Sequence, residues 1–369
     1  MSITELLPLG QSIPPQVLKE NYVKVEDKPF GQSALAYSIV IQNSWIQLQL
    51  SASDPLLRVE HPKLIGNYLS PKDQGGNAMV QVWCQGLIRE IAAADWLRDF
   101  LALGNASILS LEARSPYLAD ALIVRQDGPI LLQVRISAHL AGNRLFLIHG
   151  TAPADLFDRY AESFGIAVSS FKPCLITDNP HVELWQTHNL DNALSFNAPY
   201  SWLERRPQAP AGLDMVHLFN LNARVQLIAN LKVMSVRRSL TKGKKHIDLH
   251  ALVASEFMKA GLRVTELASE ESVKVDAPLS NASFKIWKAV LPKAKPQRAE
   301  NMLVVAVNTP NHHVVAGLQT GAPSEGFYEY AVHRRAFDIV LGSLECRVQP
   351  EPAVSKPRTA EESTVGRRQ

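Results

Sequence analysis

Residues 37–45, Tyr37-Ser38-Ile39-Val40-Ile41-Gln42-Asn43-Ser44-Trp45, return in outline as residues 194–202, Leu194-Ser195-Phe196-Asn197-Ala198-Pro199-Tyr200-Ser201-Trp202. Both read apolar, Ser, apolar, four residues, Ser, Trp, and a repeat of this kind makes the chain two copies of one unit. Downstream of each Trp an alternating pattern predicts a strand, over Met79-Val80-Gln81-Val82-Trp83 in the first copy and over residues 231–236 in the second. A helix follows each. Ile88, Ala92, Trp96 and Phe100 recur every fourth residue ahead of Gly104, and Leu249, Val253, Phe257 and Ala260 run to Gly261. From Trp to Gly is 59 residues in both copies.

The copies also end alike. Ala152-Pro153 precedes Phe157 and Tyr160, and Ala322-Pro323 precedes Phe327 and Tyr330; proline suits a first helical turn, so a closing helix is expected to begin at each Pro. Strand-like runs lie between the two helices of each copy, over residues 107–111, 121–124, 130–136 and 145–148, then 273–275, 284–287, 302–307 and 314–318. Strands grouped between helices, without βα alternation, predict an α+β fold with an antiparallel sheet sandwiched by helices in each copy. Such a sheet is expected to leave a face or an edge free for a partner. The distance from Trp to the closing Pro is 108 residues in the first copy and 121 in the second, and the polar run Pro292-Lys293-Ala294-Lys295-Pro296-Gln297-Arg298 takes up the difference as a surface loop. Expected boundaries are a first domain over 1–171, a connector over 172–189, a second domain over 190–349 and a disordered tail over 350–369.

A two-strand start ending in Ser-Trp, a central helix, an antiparallel meander and a final helix led by Ala-Pro and closed by Ser170-Phe171 resemble the PsbP-like fold. That group includes the photosystem II accessory protein PsbP, the DcrB family, the Mog-type Ran-binding import factor and effector-associated chaperones of type VI secretion. The resemblance covers both copies as a tandem duplication, with Ser343-Leu344 in the second where the first has Ser170-Phe171. It implies a binding or assembly module that holds another protein, and it carries over no site residue.

The 369 residues are 46% hydrophobic and 20% charged, a globular composition long enough for two domains. With 38 Lys and Arg against 35 Asp and Glu, the net charge of +3 excludes a chain-wide nucleic-acid or membrane-surface role. Cys84, Cys174 and Cys346 are too few and too widely spaced for a disulfide framework or a zinc ribbon. With no secretory pattern at residues 1–8 and no run of ~20 apolar residues, a cytoplasmic protein without membrane insertion is expected.

Candidate chemistry is sparse. His246-x-x-x-His250 would put two imidazoles one turn apart, but Ile247 stands where a zinc protease needs Glu. His312-His313 reads as a hairpin tip, since neighbours on a strand point oppositely. Arg237, Arg238, Lys242, Lys244 and Lys245 form a basic loop without the glycine spacing of a phosphate cradle. No nucleophile elbow is present. Five tryptophans sit in periodic, core-like positions; Trp185, in the connector, is the candidate interface anchor. The expectation is a non-enzymatic, cofactor-free protein-binding scaffold, adaptor or chaperone, set in a bacterial secretion or conjugation apparatus and binding a subunit or effector of it. The alternatives are a ligand- or metal-binding protein or enzyme using the inter-domain cleft with His246 and His250, and a nucleic-acid adaptor through residues 237–246, which lacks the basic stripe with interleaved aromatics such binding needs.

Overall fold

A computed structural model describes residues 14–50, 61–73, 76–174, 181–190, 194–209, 212–241, 248–273, 280–292 and 298–346. The fold is α+β. The first half opens with a short helix, α1 (Pro15–Asn21), and a small sheet of β1 (Tyr22–Asp27), β2 (Tyr37–Gln42) and β10 (Lys172–Pro173), with β2 central. Its large sheet is built from β3 (Ile46–Gln47), β4 (Lys63–Leu69), β5 (Met79–Gly86), β6 (Ser107–Ser115), β7 (Leu118–Asp127), β8 (Ile130–Ala141) and β9 (Arg144–Pro153). Helices α2 (Ala93–Leu103) and α3 (Phe157–Ser170) complete it. The second half has the small sheet β11 (Trp185–Leu190), β12 (Leu194–Pro199) and β20 (Glu345–Cys346), and the large-sheet strands β13 (Leu203–Arg205), β14 (Leu213–Leu221), β15 (Leu227–Arg237), β16 (Arg263–Val273), β17 (Ser280–Leu291), β18 (Arg298–Asn308) and β19 (His312–Gly321). Its helices are α4 (Leu249–Lys259) and α5 (Phe327–Gly342).

The large sheets have the same antiparallel order, β3-β4-β5-β9-β8-β7-β6 and β13-β14-β15-β19-β18-β17-β16. The signatures read from the sequence recur in both halves. Trp45 N–H donates to the Gln42 carbonyl at 3.0 Å and Trp202 N–H to that of Pro199 at 3.1 Å. Ser170 Oγ accepts from Val40 N–H at 2.9 Å and Ser343 Oγ from Asn197 N–H at 2.8 Å, so each serine ties the end of a closing helix to the middle of a small sheet. Residues 172–173 and 185–190, near the ends of the expected connector, pair with β2 and β12.

Each large sheet is covered on both faces. In the first half β2 and α3 pack on one face through Tyr37, Ile39, Phe157 and Phe164, and α2 on the other through Trp96, Leu97 and Leu101. In the second, α5 and β12 take one face with Phe196 and Phe337, and α4 the other with Val253 and Phe257. Each such aromatic or large aliphatic contributes about 1.5–3 kcal/mol by burial. The expected free face is therefore absent from the described residues. The long edges are blunted as well: β6 skips a residue between Ile108 and Ser110, β16 skips one at the corresponding place between Val264 and Glu266, and such bulges discourage strand addition.

Two local expectations shift. Helix α2 starts at Ala93, not near Ile88, because Arg89 and Glu90 are drawn off to the second half, as described below. The closing helices start at Phe157 and Phe327; Pro153 ends a strand and Pro323 opens a 3-10 turn, its fixed φ serving the turn. Residues 293–297, most of the expected loop insertion, and the tail lie outside the described residues.

Candidate functional site

Glu90 follows β5 in a stretch with no helical hydrogen bonding, and it is only 2% exposed. Its Oε1 accepts from the backbone N–H of Val182 at 2.8 Å and of Glu183 at 3.3 Å, and from Trp185 Nε1 at 3.0 Å. Glu183 answers it: one carboxylate oxygen accepts from Glu90 N–H at 3.3 Å and the other from Ser201 N–H at 3.1 Å. Beside this reciprocal latch Arg89 donates to Asn220 Oδ1 at 2.7 Å, and the Arg98 and Arg335 guanidiniums lie over the rings of Phe327 and Tyr117. Apolar packing continues the seam, since Ala331 and Val332 of α5 share a cluster with Trp96 and Leu97 of α2. Charge-assisted bonds around buried carboxylates are the stronger class of hydrogen bond, so the seam joins the halves firmly.

Next to the seam lies a cavity of about 510 Å³. One wall is α2, where Trp96 and Phe100 stack with ring centroids 4.9 Å apart. The floor is the sheet, with Ile123, Ile136 and His149; His61 and Pro62 contribute opposite, and Tyr328 reaches in from α5 of the second half. Arg125 and Asp99 also line it. His149 is 7% exposed, and its Nε2 has no hydrogen-bond partner among the described residues. Burial, reinforced by the charge of Arg125, pushes its pKa down to about 3, so the ring is neutral at physiological pH. Burial also raises the Asp99 carboxyl.

Pairing registers assign each of these residues a counterpart. Counted across the ladders from the matching bulges after Ile108 and Val264, Ile123 corresponds to Ala289, Val134 to Glu300 and Thr151 to Gly321, which sets β9 and β19 at an offset of 170. Gln319 stands for His149, Met234 for Gln85, Met302 for Ile136 and Lys232 for Trp83. The second half closes its version of the space. Met234, Met302 and Phe257 are fully buried in one cluster, Lys232 Nζ donates to the Glu256 carbonyl at 2.7 Å under the Phe257 ring, and Gln319 hydrogen-bonds Glu300. Burial lifts the Glu300 carboxyl to about 7.

Exposed apolar side chains gather where the cavity meets the end of the first sheet. Leu103, 79% exposed, ends α2; Ile108 pairs with Ile123 of the cavity floor; Ile130 alternates in phase with Ile136, so all three share the cavity's side of the sheet. Leu109 occupies the bulge and Leu131 turns to the other face.

The residues singled out from the sequence lie away from the cavity. Trp185 begins β11, where it meets Glu90 and stacks on His181. Arg237 ends β15, and Arg238 is tied to the β18–β19 turn through Thr309 and Asn311. Lys242, Lys244, Lys245 and His246 lie outside the described residues. His250 Nε2 meets Ser283 Oγ at 2.8 Å, a structural contact. His312 and His313 open β19 directly after the Thr309 turn, as a hairpin tip requires. No cluster of three metal-ligating side chains occurs among the described residues, and no described helix is long and apolar enough to cross a membrane. Sequence reasoning missed Glu90 and His149; a lone acid in an apolar stretch and a histidine inside a continuous apolar strand were the available signals.

No family model matches the chain, and no curated protein matches it. Among solved structures, cyanobacterial PsbP (CyanoP) from Synechocystis sp. PCC 6803 is 14% identical over 41% of this chain and 92% of its own, with a TM-score of 0.32. The protein PA94 from Pseudomonas aeruginosa is 11% identical over 45% of this chain and 99% of its own, at 0.25. The T6SS immunity protein TplEi from Pseudomonas aeruginosa is 9% identical over 84% and 94%, at 0.21. At such TM-scores these likenesses decide neither partner nor activity.

Proposed function

We propose that the chain is a non-enzymatic protein-binding scaffold of two PsbP-like domains, with boundaries near residues 171 and 190, that works within a bacterial secretion or conjugation apparatus. The observation that carries the binding reading is the exposed apolar rim of Leu103, Ile108 and Ile130. Apolar side chains gathered at one end of a domain mark a contact surface. Covered faces and bulged edges leave this rim as the place for an apolar segment of a partner, bound through side chains instead of strand addition. The latch at Glu90 would hold the second half at fixed geometry beside it. The secretion setting follows from the resemblance read in the sequence.

The test is capture of partners from the protein's own cell extract, comparing the wild type with Leu103→Glu/Ile130→Glu after a high-salt wash. A protein held by the wild type and lost from the double variant is the expected result. Equal retention by both, or no retained protein, overturns the reading; a partner identified outside any secretion or conjugation apparatus overturns the setting alone.

A further inference from the structure

We propose that the cavity beside α2 binds a small apolar carboxylate, its carboxylate held between the Arg125 guanidinium at the mouth and the His149 Nε2–H on the floor, and its body laid along Trp96 and Phe100. The inference rests on the cavity alone and stands or falls apart from the scaffold reading.

Four observations converge. The volume, about 510 Å³, falls in the range of ligand clefts and far exceeds a packing defect. Its walls are apolar and aromatic, with the Trp96–Phe100 stack on one side and Ile123 and Ile136 on the other, which suits a flat ring or a hydrocarbon chain. The polar group on its floor is an imidazole that is nine-tenths buried and whose Nε2 has no partner among the described residues. A buried polar atom left unpaired is costly, a penalty that a ligand oxygen would remove. The comparison within the chain sharpens this point, because the residue at the same place in the second half, Gln319, has its partner in Glu300 and the space around it is filled by Met234, Met302 and Phe257.

The sign of the ligand's charge follows from what surrounds that imidazole. Arg125 is exposed at the mouth, and its charge is the one felt by His149. A neutral imidazole donating Nε2–H and a guanidinium together form a two-donor clamp for a carboxylate, which can accept from both. Asp99 stands on the helix wall, where burial raises its carboxyl. Tyr328, brought in by α5, makes the site a product of both halves.

Calorimetric titration of the full chain with 2-naphthoate, and with 2-naphthylmethylamine as the cation of like shape, tests the proposal. Saturable binding of the carboxylate at one site is expected, at least tenfold tighter than the amine. Arg125→Glu, at an exposed side chain, should weaken naphthoate at least tenfold and bring the amine level with it. Ile136→Trp should fill the cavity and abolish binding, with circular dichroism reporting whether that variant keeps its fold. Lack of saturable naphthoate binding into the millimolar range, equal affinity for the two probes, or unchanged naphthoate affinity in Arg125→Glu would each overturn it.

Discussion

The two halves share a strand order, a central helix and a serine-tied closing helix, yet they fill equivalent positions with opposite chemistry. On the face beneath α3 the first half buries an ion pair, Arg135 to Asp120 at 2.7 Å, with Ser137 next to Asp120 across the ladder. The second half has Ile286, Asn301 and Leu303 at the positions of Asp120, Arg135 and Ser137. On the other face, His149 and a cavity stand against Gln319 and a packed cluster of methionines and Phe257. One topology thus tolerates a partly open filling and a closed one. Backbone pairing sets the frame in both, and side-chain packing decides which half has room for a ligand.

The largest break of this symmetry should come from the ion pair. Asp120→Ala strands Arg135 in the interior and should destabilise the protein by about 3–5 kcal/mol in urea unfolding, since an unpaired buried charge is costly. Asp120→Ile with Arg135→Asn, the residues of the second half, should recover most of that loss; failure to recover would mean that the two inner faces are not interchangeable. Next is the seam. Glu90→Ala leaves three donors without their acceptor and should cost roughly 3 kcal/mol, splitting thermal unfolding into two transitions as the halves uncouple. A single unshifted transition would show the latch to be dispensable.

Smaller effects probe the packing on the cavity's side. Leu147 of the first half corresponds to Gly317 of the second, where an added Cβ would lie 2.8 Å from the Phe257 ring. Gly317→Ala should cost about 1–3 kcal/mol by overpacking, read as a lower urea midpoint with an unchanged m-value. The most gradual effect concerns pH. His149 has a folded pKa of about 3, below the ordinary 6.5, so the unfolded chain binds the proton more readily. Its contribution is whole above pH 6.5 and is lost as pH falls from there toward 3, by at most ~1.4 kcal/mol per unit. His149→Gln, the residue of the second half, should flatten the acid limb of the stability curve. His139, His217 and His333, also depressed by burial, would keep part of it.

The repeat was legible because it is written in residues with local duties. Trp45 and Trp202 close the same turn, Gly104 and Gly261 follow the same helix, and Ser170 and Ser343 cap the same contact. Gly261 in particular adopts φ +97°, a conformation that favours glycine, and so marks its helix end unambiguously. The candidate site was not legible in this way. Glu90 sits between Leu87 and Ile91, both buried, and reads as an interruption of an apolar run; its three donors come from residues 182–185, more than 90 positions away. Trp185 was marked as an anchor, and what it anchors to depends on that acid.

Local order is what the sequence by itself determined: two copies of an α+β unit, the order of their helices and hairpins, and the burial of Trp45, Trp96 and Trp202. Periodicity, turn residues and caps act within a few residues of themselves, so a one-dimensional reading contains them. Tertiary structure alone decided which strand neighbours which, that both faces of each sheet are covered, that α5 of one half closes against α2 of the other, and that a neutral His149 lines a cavity where Gln319 lines none. Those outcomes depend on packing between residues remote in the chain, 236 positions apart for Trp96 and Val332, where shape and the pairing of buried polar groups choose among arrangements that the same local pattern allows equally.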